Sequence, residues 1–182
     1  MRILGIDPGS SATGYGIVEQ SGARLVYVAH GVVRLASGSP LPERLAVLCA
    51  KLRDVVAYYH PSVAAVERVF VAAHPHAALV LGHVRGAVLV ALAEARLSVV
   101  ECSAAEIKRA VVGTGGAHKV QVQAMVAKLL GLARAPARDA ADALAAAICC
   151  GHTGPVAALK RPARRRPRAA PTSLRWAVRR VP

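Results

Sequence analysis

The chain has 182 residues, 54% of them apolar, and sets twenty-four Lys and Arg against ten Asp and Glu for a net charge of +14. That length suits one domain with a sizeable core, and the apolar share excludes global disorder. The charge points to nucleic acid ahead of an anionic membrane surface. Residues 160–182 hold nine of the basic residues and no acid, which leaves fifteen basic and ten acidic residues in the body.

Cys49, Cys102, Cys149 and Cys150 form no Cys-x-x-Cys pair and lie in apolar stretches, as free thiols in a reducing cytosol do. The N-terminus enters a strand directly, without a signal-like apolar core. The longest apolar stretch, 77–93, is broken by His83, Arg85 and two glycines. No membrane span is expected, and the protein is expected to be soluble and cytoplasmic.

In chain order, residues 2–6 read as a buried strand, and Asp7-Pro-Gly-Ser-Ser as a tight turn. Residues 15–20 and 25–35 follow as strands joined through Ser21-Gly22-Ala23. Residues 40–60 show helical spacing in Leu45, Leu48, Leu52, Val55 and Val56. A strand at 63–67, a long helix at 75–96 and a strand at 98–102 come next. Ser103 and Glu106 form a capping box that opens a helix to about 112. A glycine-rich loop, Gly113-Thr-Gly-Gly116, precedes a helix at 118–130, and a last helix runs from about 136 to 150 with Gly151 as its stop. Beyond lies a tail rich in Pro and Arg. The predicted organisation is therefore a domain at 1–153 and a basic tail at 154–182.

This βββαβαβααα order predicts an α/β fold: a mixed five-stranded sheet in the order 3-2-1-4-5 with helices on both faces. The first three strands form an antiparallel meander, and the fourth and fifth return parallel to the first on its other side. Asp7 and Glu67 then end neighbouring strands. Asp139 and Asp142, three apart on one helix face, can be brought over them.

Such a carboxylate cluster needs a proton or a cation. Oxygen ligands without His or Cys favour Mg²⁺ or Mn²⁺, and two such ions about 4 Å apart hydrolyse phosphodiesters. Taken singly, Asp7 could be a turn residue or cap, and Asp139 a helix-dipole acid. The coincidence of four favours a site. Gly113 to Lys119 fails as a phosphate-binding loop, because His118 and Val120 stand where a glycine and a Ser or Thr are needed. It can contact a DNA phosphate or simply join two helices. Phe70, the only phenylalanine, can stack on a base or belong to the core. The helix at 75–96 is apolar on nearly every face, so a two-fold dimer is expected.

Ile3-Leu-Gly-Ile-Asp-Pro-Gly-Ser10 with Thr13-Gly-Tyr-Gly16, Val66-Glu-Arg-Val-Phe70, Leu81-Gly82 with Arg85-Gly86, Val111-Val-Gly113, and Asp139-Ala-Ala-Asp-Ala-Leu-Ala145 together resemble the RuvC family. These are bacterial Holliday-junction resolvases, endonucleases of the ribonuclease H-like superfamily. The resemblance runs from residue 2 to about 150. It implies a homodimer that cuts opposed strands of four-way junction DNA symmetrically with Mg²⁺ or Mn²⁺, with RuvA and RuvB as partners. It carries Asp7, Glu67, Asp139 and Asp142 over as catalytic, metal-binding acids. Phe70 falls at the family's junction-stacking aromatic, Lys108 and Lys119 at basic positions near the DNA backbone, and Arg68 joins them as a DNA contact.

Two other classes share part of this pattern. An ATP-binding domain of the actin/Hsp70 type also opens with a strand and Asp-x-Gly but needs two lobes. A non-catalytic junction-binding protein gains nothing by presenting four carboxylates to phosphate.

Overall fold

The computed structural model describes residues 1–36, 38–68 and 75–154. Phe70 and residues 155–182 of the tail lie outside the described residues. The strands are β1 (Arg2–Asp7), β2 (Ala12–Ser21), β3 (Arg24–Arg34), β4 (Val63–Glu67) and β5 (Ser98–Cys102). They form one sheet in the order β3-β2-β1-β4-β5, as expected. β1, β2 and β3 pair antiparallel, while β4 runs parallel to β1 and β5 parallel to β4. The turn between β2 and β3 places Gly22 at φ 60°, a left-handed conformation that glycine adopts without a Cβ clash.

The helices are α1 (Leu41–Tyr59), α2 (Pro75–Glu94), α3 (Ala104–Val112), α4 (Lys119–Leu129) and α5 (Arg138–Thr153). Strand alternation sends successive side chains to opposite faces. Leu4, Ile6, Ile17, Ala64 and Val66 face α1 and α2, packing with Leu48, Leu52, Val84, Val88 and Leu92. Ile3, Val18, Val63 and Ala65 face the other side, with Ile107 of α3, Val122 and Val126 of α4, and Leu144 and Ile148 of α5. Burying one such aliphatic side chain contributes about 1.5–3 kcal/mol, so both layers are held by their own core.

Among the element boundaries that differ from the sequence expectation, three have a local physical reason. β2 begins at Ala12 rather than residue 15, because Ala12, Thr13 and Gly14 pair with Arg34, Val33 and Val32. α2 ends at Glu94, where Arg96 at φ 58° turns the chain and the Leu97 N–H donates to the Leu92 carbonyl at 3.0 Å. α5 runs through Gly151 and ends before Gly154 at φ 72°. Gly151 is a packing glycine: a Cβ there would come within 2.7 Å of Leu25 Cδ2.

Among the described residues α2 is the one helix long and apolar enough to cross a bilayer. It buries Val84, Val88, Ala91 and Leu92 against the sheet, yet leaves Leu79 and Val90 on its other side 64% and 55% exposed. Cys102, Cys149 and Cys150 are buried, Cys49 is partly buried, and none of the four is in a disulfide.

Candidate active site

Asp7 is the last residue of β1 and Glu67 the last of β4. Ile6 stands opposite Val66 in that parallel pair, so the two carboxylates sit side by side at the strand ends. Alternation directs both to the α5 face, because Gly5 and Ala65, two residues earlier, lie on that face. α5 lies directly on the sheet there. A Cβ added to Gly5 would collide with the Ala143 carbonyl, and one added to Gly14, which pairs with Asp7, would collide with the carbonyl of Asp139. Glycine in the strands and alanine along α5 thus bring the start of that helix, with Asp139 in its first turn and Asp142 one turn on, over the ends of β1 and β4.

The electrostatics bear the mark of this gathering. The Asp7 carboxyl is pushed up from 3.8 to about 7, first by burial and then by Glu67, Asp142 and Asp139, with Lys119 opposing. Glu67 is also raised, by burial and Asp142, while Lys119 and Lys108 pull it down. The four acids therefore share one field, and both lysines reach it. Lys119, first residue of α4, donates from Nζ to Asp142 Oδ2 at 3.4 Å. Lys108 stands on α3.

As the side chains stand, no three Asp, Glu, His or Cys among the described residues close into a metal cage. The donor set nevertheless fits a hard divalent cation: all oxygen, no thiol or imidazole, with Asp7 and Glu67 raised by burial and then by neighbouring acids, a state that positive charge relieves.

Arg68 does not stand free beside Glu67. Its Nη2 donates to Glu106 Oε2 at 2.9 Å. The loop 113–116 proves to be a helix–helix connection: Gly113, at φ 85°, caps α3 through its N–H to the Arg109 carbonyl, and the chain then enters α4 at Lys119. Phe70 lies outside the described residues.

Three contributors went unread in the sequence. Gly14 was noted only within a motif, and Glu106 only as a helix cap. Arg44 of α1 donates to the Ser10 carbonyl, holding the turn that follows Asp7.

A family model described as crossover junction endodeoxyribonuclease RuvC matches residues 3–150. The chain belongs to the RuvC family. A Bordetella avium RuvC is 53% identical over 156 residues, 86% of each chain. The Thermus thermophilus RuvC structure superposes with a TM-score of 0.78 at 34% identity, covering 87% of this chain and 98% of that one. Thermus thermophilus RuvC in complex with a Holliday junction substrate gives a TM-score of 0.77 at 32% identity, covering 84% and 94%. The matched span runs from β1 into α5 and takes in all four carboxylates. The mixed sheet is thereby the RuvC, ribonuclease H-like one.

Proposed function

We propose that this member of the RuvC family is a structure-selective endonuclease that resolves four-way DNA junctions by symmetric paired nicks in recombination and repair. One observation carries the reading: the ends of β1 and β4 and the start of α5 bring four carboxylates into one field, where burial and then the neighbouring acids lift Asp7 to about 7, on a chain of this family.

Asp7, Glu67, Asp139 and Asp142 would hold two divalent ions, Mg²⁺ or Mn²⁺. When bound there, such ions supply Lewis-acid activation of a water and stabilisation of the leaving oxygen. The residues themselves perform the remaining tasks. Asp7, with Glu67 beside it on the neighbouring strand, would be one of the residues that hold the ions. Lys119 balances charge at Asp142 and, with Lys108, meets the phosphates flanking the scissile bond. Phe70, three residues after Glu67, stacks on a base at the junction centre.

Symmetric cutting needs two sites, and the outward face of α2 fits a homodimer. Leu79, Gly82, His83, Gly86 and Val90 recur on one exposed side of that helix, and a Cβ at Gly82 or Gly86 would meet nothing within 4 Å. The proposal extends to RuvA and RuvB as branch-migration partners, to action in the cytoplasm, and to the basic tail as a tether to DNA. Incubation with a mobile four-way junction and a matched linear duplex tests the reading.

A further inference from the structure

Arg68 is anchored twice. Its backbone N–H donates to the Cys102 carbonyl at 2.7 Å, carrying the β4–β5 ladder one residue past the Glu67–Cys102 pair. Its guanidinium reaches Glu106 at 2.9 Å. Glu106 Oε2 also accepts from the Ser103 N–H at 2.7 Å and the Ser103 hydroxyl at 2.8 Å, while the Glu106 N–H donates to the Ser103 hydroxyl oxygen at 3.3 Å.

A capping box asks of its third helical residue only an acceptor for the N-cap N–H, a task Gln performs as well as Glu. The negative charge is needed by Arg68. Charge-assisted bonds are the directional ones, and this one ties α3 to the residue that follows Glu67. Val66, on the other side of Glu67, is fully buried in the ladder. Glu67 is thus clamped before and after, at the end of its strand.

We propose that Glu106 is a positioning residue for strand cleavage, acting through Arg68 to fix the backbone at Glu67. The inference rests on reading Glu67 as part of the cleavage site. Arg68, expected as a DNA contact, serves the clamp in this reading.

The test uses the full-length protein, a mobile four-way junction, single-turnover cleavage in Mg²⁺, and junction affinity in Ca²⁺ across a salt series. Glu106→Gln and Arg68→Gln should each slow cleavage about tenfold, the scale expected of a slightly misplaced group, with junction affinity and salt slope unchanged. The double variant should be no slower than either single one, because both remove the same link. Arg68→Lys should recover much of the rate. Ser103→Ala, which weakens the cap but leaves Arg68 paired, should cleave at nearly the wild-type rate.

Cleavage falling equally in Ser103→Ala would reduce Glu106 to a helix cap and overturn the proposal. So would Arg68→Gln weakening junction binding and flattening the salt slope by about one, which would make Arg68 a phosphate contact. Unchanged cleavage in folded Glu106→Gln overturns it as well. A wild-type protein that leaves the junction uncut sinks the underlying endonuclease reading, a result distinguishable from all of these.

Discussion

The carbonyl of Asp139 rests against Gly14, where any side chain would have to go. Gly14 pairs with Asp7 across β1 and β2, so one backbone contact sets how far the α5 carboxylates stand from Asp7. The obstacle to a larger residue is backbone, which cannot swing aside as a side chain can.

Gly14→Ala should therefore lift the start of α5 from the sheet. Overpacking of this kind costs about 1–3 kcal/mol, which a domain of this size can survive, but cleavage should fall far more than stability. Gly151→Ala is the control, since the atoms its Cβ would meet first are side-chain ones, Leu25 Cδ2 at 2.7 Å, and Leu25 can adjust. Thermal melts paired with junction cleavage for both variants check the contrast.

Asp7 makes a prediction about pH. Its carboxyl is raised from 3.8 to about 7, so the folded state binds that proton more tightly than the unfolded one. The folding contribution is fully present below about 3.8, declines as pH rises toward 7, and is gone above it. At pH 8 without metal, the charged carboxylate is a cost with a ceiling of about 4 kcal/mol, shared among coupled neighbours. Asp7→Asn should raise the melting temperature at pH 8 in chelator by several degrees. The gain should shrink at pH 5, and divalent metal should narrow it by stabilising the wild type.

What could be read from the sequence, and what could not, divides along physical lines. Asp7 and Glu67 were legible because each ends an apolar run, and two parallel strands with that ending must juxtapose their last residues. The start of β2 was not, because it follows the Asp7–Ser11 turn directly and its first glycines, Gly14 and Gly16, are poor strand formers. Those glycines are small so that α5 can lie on them, and the residues that bring the site together are the ones that hid the strand. The Ser103–Glu106 box was plain from local spacing. Its link to Arg68, thirty-eight residues away, depends on β5 lying beside β4 and carries no local signal.

Lys119 should matter more to substrate than to fold. Its ammonium is largely exposed while Asp142 is mostly covered, and a pair with one partner in solvent at 3.4 Å contributes on the order of 1 kcal/mol. Lys119→Met should leave the melting temperature nearly unchanged. Junction affinity should drop, and the slope of log affinity against log salt should shallow by about one. Cleavage should fall further than binding, because the same lysine holds down the raised carboxyls of Asp7 and Glu67. Affinity titrations at several salt concentrations read this directly.

The α2 face predicts a separable defect in assembly. A side chain at Gly86 meets open space within the protomer, so Gly86→Arg should fold, and its circular dichroism should match the wild type. Its mass by light scattering should be half that of the wild type. Paired nicking should give way to weak single nicks, since each cut then depends on an isolated site.

The most direct test of the carboxylate site is cleavage of a mobile four-way junction and a linear duplex of the same sequence by wild type and Asp7→Asn, each with Mg²⁺, Mn²⁺ or chelator. The expected result is paired symmetric nicks in the junction alone, by wild type alone, and only with metal, while Asp7→Asn still binds the junction. Cleavage in chelator, cleavage by Asp7→Asn, or equal cutting of the linear duplex would contradict it.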